Sequence, residues 1–342
     1  MKTTKKLKII IYLLIGTIGL IYLSIAILLF WIGPLETKTV KKNLTKYPLN
    51  IVISLTTAQQ RINKIKPTIE SILRQSIQPN KIYLNIPNQL NNKYILPNWL
   101  TKEPSVIINR TKDYGPATKL IPTLEQERDP NTIIITLDNQ IFYPKHIVRD
   151  LIKQYLPDTH KINYKKNSAI TGIGLIILFG PTFEPIQTKM IAGDRPSISV
   201  VNLGGVAYKR SFFNDDIFSL PDNMPTTCIL SDDLIISAYL FTNNISIVKI
   251  SGISYNEVMQ NLLLKYNLPD EYYYNYANCL ASLSKHDKIK YQEIILQRTK
   301  NIYAIYKNEI YKINMNAFWY ELLTAAIKYI PFLEKLIMIV MQ

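Results

Sequence analysis

Residues Thr132 to Pro144 read TIIITLDNQIFYP, and the fold turns on them. A β-branched run dominated by isoleucine leads into Leu137, then into an acidic-polar corner at Asp138-Asn139-Gln140, then into an aromatic turn closed by Pro144. A short, continuous apolar run bounded by turn residues is what a parallel strand buried on both faces needs. In open α/β sheets, ligands bind just outside the carboxyl ends of such strands. Asp138 therefore stands where a ligand would be met, although Asp and Asn also simply initiate turns.

Ahead of this stretch, the pattern predicts strands over 51–55, 82–86 and 106–108, with helices over 63–75 and 117–124 between them and a helix over 145–155 after it. Ile65, Ile69, Ile72 and Leu73 share one face of the first helix, and Pro67 suits its first turn. Strand–helix alternation of this kind implies right-handed βαβ units and a mostly parallel sheet flanked by helices. Further strands are expected over 169–180, 197–208 and 245–250, and a helix over 232–241. Beyond Ser254 the chain is rich in Tyr, Lys and Asn, and a helical C-terminal region is expected over 254–342. Within it, 317–341 reads as an amphipathic packing helix or, alternatively, a membrane-surface helix.

The N-terminus has a different character. A basic tail over 1–8 precedes Ile9 to Ile32, which carries no charged residue. At about 1.5 Å per helical residue that segment is long enough to cover a bilayer core of roughly 30 Å. Trp31 sits where an interfacial aromatic belongs. A transmembrane helix is expected over 9–32, with a stalk over 33–49 and the catalytic-type domain over 50–253. Lys2, Lys5, Lys6 and Lys8 precede the span, and Lys38, Lys41 and Lys42 follow it, which slightly favours a cytoplasmic N-terminus.

The chain has 342 residues, 47% of them hydrophobic, enough for one sizeable domain with an appendage. Its net charge of +15 suits an anionic partner such as a membrane surface or a nucleoside diphosphate. The basic residues are scattered rather than striped, so nucleic acid is not expected as the ligand. Cys228 and Cys279 lie in no CxxC or Cys/His cluster, so neither a disulfide framework nor a zinc site is expected. His146, His160 and His286 are far apart and are read as structural.

Four segments could carry chemistry. Asp138 can offer a hard oxygen donor to Mg²⁺ or Mn²⁺, with Asn139 and Gln140 adding amide oxygens. Asp232-Asp233 follows Ser231 and opens an apolar helix; Ser231 reads as its N-cap, and the carboxylates suit either the helix dipole or general-base work. Asn202-Leu203-Gly204-Gly205 precedes a strand and ends in Lys209-Arg210; its glycines fit a tight turn or close approach to a ligand. Lys119, in Asp113-Tyr114-Gly115-Pro116-Ala117-Thr118-Lys119, is a cation able to reach a diphosphate.

Taken in order, these segments resemble bacterial glycosyltransferases of the GT-A type, in the broad family-2-like group. The matching pieces are ISLTTAQQRI at 53–62, SILRQSIQPNKIYLNIP at 71–87, YILPNWL at 94–100, DYGPATKLIPTL at 113–124, the strand with Asp138, GGVAYKR at 204–210 and DDLIISAYL at 232–240. The resemblance implies a GT-A-like, Rossmann-like α/β fold and a nucleotide-sugar donor. It implies donor binding by Thr56, Thr57, Arg61, Asn85, Asp113, Lys119, Asp138, Gly204 and Gly205. A DxD-type motif would hold a divalent cation through Asp138 and Gln140, and Asp233, with Asp232 beside it, would act as base. The departure is Gln140, where the family usually has a carboxylate. The implied activity is transfer to a hydroxyl of a glycan or lipid-linked acceptor at a membrane, with inversion. The alternative is a catalytically silent relative that binds nucleotide-sugar or glycan, or scaffolds a membrane complex. Because bacterial nucleotide sugars are cytosolic, an active domain is expected on the cytoplasmic side.

Overall fold

The computed structural model describes residues 16–17, 19–24, 41–42, 44–46, 48–88, 94–156, 167–179, 185–190, 195–197, 200, 202–223, 225–250, 253 and 279. It is an α/β fold built on an eight-stranded sheet in the order β3-β2-β1-β4-β9-β5-β10-β8. These strands are β1 (Ile51–Thr56), β2 (Lys81–Pro87), β3 (Val106–Thr111), β4 (Ile133–Thr136), β5 (Ser168–Thr171), β8 (Arg195–Pro196), β9 (Val206–Lys209) and β10 (Ser246–Lys249). A separate hairpin pairs β6 (Leu175–Phe179) with β7 (Pro185–Met190).

The isoleucines of β4 explain why the sheet is covered on both sides. Ile133 and Ile135 pack with Ile53, Leu55, Ile69 and Ile72 in one apolar cluster. Ile134, between them, packs with Leu124, Tyr208 and Leu240 in the other. Successive strand residues point to opposite faces, so an unbroken apolar run is needed to serve both. Burying each such side chain contributes roughly 1.5–3 kcal/mol relative to leaving it exposed.

The expected order of strands and helices from β1 to β4 is present, with shifted ends. The first helix is shorter, Lys66–Leu73, with Pro67 in its opening turn and a 3₁₀ turn, Gln59–Lys64, ahead of it. The helix expected over 117–124 is Ile121–Gln126, with Pro122 in its opening turn, and a 3₁₀ turn, Ala117–Lys119, precedes it. The expected strand over 169–180 is two strands parted at Gly172, and within the strand expected over 197–208 the described residues hold a 3₁₀ turn, Asn202–Gly204, and β9, while 198, 199 and 201 lie outside the described residues.

The sheet is less parallel than expected. From β3 through β4 all neighbours are parallel, but β9 is antiparallel to both β4 and β5, and β8 is antiparallel to β10. This reversal has a consequence for chemistry. Thr136 at the end of β4 pairs with Val206 at the start of β9. The turn Asn202–Gly204 is thereby delivered to the same sheet edge as Asp138.

Among the described residues no helix is long and apolar enough to cross a membrane. Of the span expected over 9–32, residues 16–17 and 19–24 are described, as helix. The rest of that span, the tail 1–8, most of the stalk, and the region 254–342 apart from Cys279 lie outside the described residues.

Cys228 and Cys279 form a disulfide, with both residues fully buried in the second cluster. This corrects the expectation of no disulfide. Spacing could not reveal it, because the partners are 51 positions apart and only the fold brings their Cα atoms to 4.5 Å. Closing a loop of that size contributes roughly 2–4 kcal/mol in a chain-entropy view. Adding a reductant should therefore lower Tm in scanning calorimetry by several degrees; an unchanged Tm would show that the bond is absent.

Candidate functional site

The site forms at the carboxyl edge of the parallel strands. β1 and β4 run side by side with Ser54 opposite Thr136, so Thr56-Thr57 and Asp138-Asn139 emerge together. The corner after β4 is then fixed from three sides. The Asn139 amide donates to the Thr56 carbonyl at 2.7 Å, the Thr68 hydroxyl donates to the Asn139 carbonyl at 3.1 Å, and the Asp138 N–H donates to the Tyr143 hydroxyl at 2.7 Å. Tyr143 is buried, so the aromatic turn of TIIITLDNQIFYP closes this corner from beneath.

Lys119 enters from the connection that follows β3. Gly115 takes φ +60, its N–H is accepted by the Asp113 carboxylate at 2.8 Å, and the Tyr114 N–H is accepted by the Thr118 hydroxyl at 2.9 Å. The Ser54 hydroxyl of β1 donates to the Lys119 carbonyl. Pinned in this way, the ammonium lies 2.8 Å from Asp138 Oδ1 and 3.2 Å from Asp232 Oδ2. Its side chain is only 8% exposed. Burial works to lower its pKa, and the carboxylates of Asp138, Asp232 and Asp233 more than reverse this, so it is held fully charged.

Two of these carboxylates open an apolar helix, Asp232–Thr242, that is buried along nearly its whole length. The side chain of Asn202 organises its opening turn. Its Nδ2 donates to Asp232 Oδ2 at 3.4 Å and to Asp233 Oδ1, while its Oδ1 accepts from the Thr136 hydroxyl at 2.5 Å. Asp233 is held well above the usual carboxylate range, first by burial and then by the charge of Asp232. Asp232 is raised mainly by burial, with Lys119 pulling it back down. One ammonium thus faces three carboxyl groups, and a surplus of negative charge is concentrated on a few side chains.

Several expected roles change on this geometry. Lys119 does not stand free to meet a diphosphate; it joins the strand corner to the opening turn of the helix Asp232–Thr242. Asn85 is fully buried: its amide donates to Ser54 and Thr123 and its carbonyl oxygen accepts from Asn109, so it supports the edge from within. Gly204 and Gly205 are accounted for by packing. A Cβ on Gly172 would lie 2.1 Å from the Gly204 oxygen, one on Gly204 would lie 2.6 Å from the Ile173 nitrogen, and Gly205 takes φ +75. Asn202, two residues ahead of Gly204, bonds to both carboxylates, a task that its local sequence does not disclose. Thr57 is held by Tyr94, whose hydroxyl donates to the Thr57 carbonyl at 2.7 Å; Tyr94 also feels Asp113, whose charge adds to burial in raising its pKa. Thr56, Thr57 and Asp113 therefore border one side of the edge, and Arg61 lies in the 3₁₀ turn Gln59–Lys64 that follows β1. Ser231 does not cap the helix: no side-chain cap bond is made.

The donor set suits a hard cation that shares its ligands with a phosphate. Asp138 contributes a carboxylate, and the side-chain oxygens of Asn139 and Gln140 are buried without a hydrogen-bond partner. Oxygen donors of this kind, one or two carboxylates completed by substrate phosphates, match Mg²⁺ coordination. Among the described residues no group of three His, Cys, Asp or Glu side chains is arranged to hold a metal alone, so substrate oxygens would be needed.

No family model and no curated protein matches the sequence. Solved structures with a related layout include a 2-C-methyl-D-erythritol 4-phosphate cytidylyltransferase from Francisella tularensis, 12% identical, covering 67% of this chain and 98% of that one, with a TM-score of 0.36. Another is TarS from S. aureus, 14% identical, covering 70% of this chain and 73% of that one, with a TM-score of 0.39. Likenesses at this level transfer no activity to this chain.

Removing the ammonium should be costly. Lys119→Met leaves buried carboxylates without a counter-charge, a change worth about 3–5 kcal/mol. Chemical denaturation should show a correspondingly lower midpoint, whereas a stability within 1 kcal/mol of wild type, roughly the worth of an exposed ion pair, would mean that the ammonium carries no such load.

Proposed function

We propose that the chain is a glycosyltransferase of the GT-A type, moving a sugar from a nucleotide-sugar donor to a hydroxyl of a glycan or lipid-linked acceptor with inversion. The observation that carries this reading is the single cluster in which Asp138, at the strand edge, and Asp232-Asp233, at the helix start, share Lys119. A carboxylate beside oxygen donors for a cation, next to a buried carboxylate with a raised pKa, provides both halves of a group transfer to a hydroxyl.

In this reading the nucleotide lies along Thr56, Thr57, Arg61 and Asp113, with its diphosphate toward Asp138. Asp138 and Gln140 would hold a divalent cation, Mg²⁺ or Mn²⁺, which neutralises charge on the departing diphosphate. Asp233 takes the acceptor's proton as the acceptor oxygen bonds to the anomeric carbon and the bond from that carbon to the diphosphate oxygen breaks. One displacement inverts the centre. Asn202 holds Asp233 in place, and Asp232 stays paired with Lys119, so the neighbouring carboxyls are divided between base and scaffold.

The uncharged segment Ile9–Ile32 fits a membrane tether. For its orientation, the Cys228–Cys279 bond weighs against a cytosolic domain, because disulfides persist in oxidising compartments. The lysines ahead of the span agree with the disulfide. Donor would then have to be delivered to that side. Gln140 favours a second reading: a neutral amide holds a divalent ion less firmly than a carboxylate, and a silent nucleotide-sugar binder would keep the same fold.

Asp233→Asn removes the base without changing its shape. Transfer from a panel of nucleotide sugars should fall at least about 100-fold. Asp233 must be ionised to accept a proton and its pKa is raised, so wild-type turnover should climb with pH above the ordinary carboxylate range near 4. Asp232→Asn should move that limb downward by removing a like charge. Full turnover in the Asp233→Asn protein would exclude it as base and point to another one, whereas donor binding without transfer by wild type would leave the silent reading.

A further inference from the structure

Two features beside Asp232-Asp233 are not used by the mechanism above. The first is the Ser231 hydroxyl, which is buried and has no hydrogen-bond partner; Ser231 itself is 6% exposed. A buried hydroxyl left unpaired is destabilising. Its own backbone is satisfied, since its N–H donates to the Cys228 carbonyl at 2.9 Å and its carbonyl accepts from the Ile235 N–H at 3.1 Å. The side chain had the option of capping the helix and does not take it.

The second feature is the pair Ile229-Leu230, exposed by 42% and 60% respectively. These are not loose residues. The turn Thr226–Cys228 ahead of them is tied down by the disulfide at Cys228, and Ile229 packs directly on Gly115, where a Cβ would come within 2.7 Å of its side chain. The fold thus presents two large apolar side chains to solvent from a braced turn, next to an unpartnered hydroxyl and two carboxylates.

We propose that Ile229, Leu230 and Ser231 form the acceptor subsite and that the acceptor is a carbohydrate. A pyranose has an apolar C–H face and hydroxyls around its rim. The face packs on Leu230 and Ile229, one hydroxyl reaches Asp233 to be glycosylated, and a second bonds to Ser231. A simple long-chain alcohol offers the apolar contact and the reacting hydroxyl but nothing for Ser231. A subsite built to bond a hydroxyl discriminates strongly against analogues that lack it. The inference rests on the glycosyltransferase reading and resolves its acceptor class.

The test uses the full chain with the nucleotide sugar that it turns over best, offered methyl hexosides and, separately, 1-octanol. Methyl hexosides should be used in preference to the alcohol. Ser231→Ala should raise the hexoside KM about tenfold with kcat and donor KM changed less than twofold, and Ser231→Thr should recover most of the loss. Leu230→Ser should raise the same KM. An unchanged hexoside KM in Ser231→Ala, or equal losses in donor and acceptor KM, would overturn the subsite. Preference for 1-octanol would overturn the carbohydrate assignment while leaving the transferase reading intact. If no nucleotide sugar is turned over or bound by wild type, the transferase reading itself falls, and the subsite with it.

Discussion

A single buried ammonium holds the site together. Lys119 sits between the corner after β4 and the opening turn of the helix Asp232–Thr242, within 3.2 Å of a carboxylate on each. Without it, three carboxyl groups would share a buried edge with nothing to offset their repulsion. With it, the strand corner and the helix are fixed relative to each other, and Asp233 is left with an elevated pKa and an amide partner in Asn202. The contacts that stabilise the edge also give the two carboxyls different surroundings: Asp232 is paired with Lys119, and Asp233 with Asn202.

The parallel half of the sheet could be read directly from the residues. Ile133, Ile134 and Ile135 must be buried on alternating faces, and the same demand at Ile51–Leu55 and Ile82–Ile86 left little choice but strands between covering helices. Helix ends were less legible, because Pro67 and Pro122 open helices at a turn that depends on the preceding 3₁₀ segment. The direction of β9 was not legible either. Antiparallel insertion between β4 and β5 is set by pairing partners far away in sequence, and it is this insertion that brings Asn202 to the site.

The site was legible in its residues more than in their tasks. Asp138, Asp232, Asp233 and Lys119 do meet, yet Lys119 faces the carboxylates, not the open edge. Gly204 and Gly205, read as leaving room for a ligand, leave room for the backbone at Gly172 and the side chain of Leu137. Asn85 serves a buried network. In each case a residue type was read from local chemistry, while its task was set by a neighbour 30 or more positions away, as with Asn85 and Ser54, separated by 31. The disulfide between Cys228 and Cys279 belongs to the same class of fact, and so does the unpaired hydroxyl of Ser231.

On the proposed glycosyltransferase reading, this edge binds a nucleoside diphosphate sugar through the corner at Asp138. Isothermal titration of the full chain with UDP- and GDP-sugars in the presence of Mg²⁺ decides it. Saturable binding of at least one donor, weakened tenfold or more by Asp138→Ala with the fold intact by circular dichroism, is the expected result. No saturable heat from any donor, or equal affinity in the Asp138→Ala protein, would contradict it.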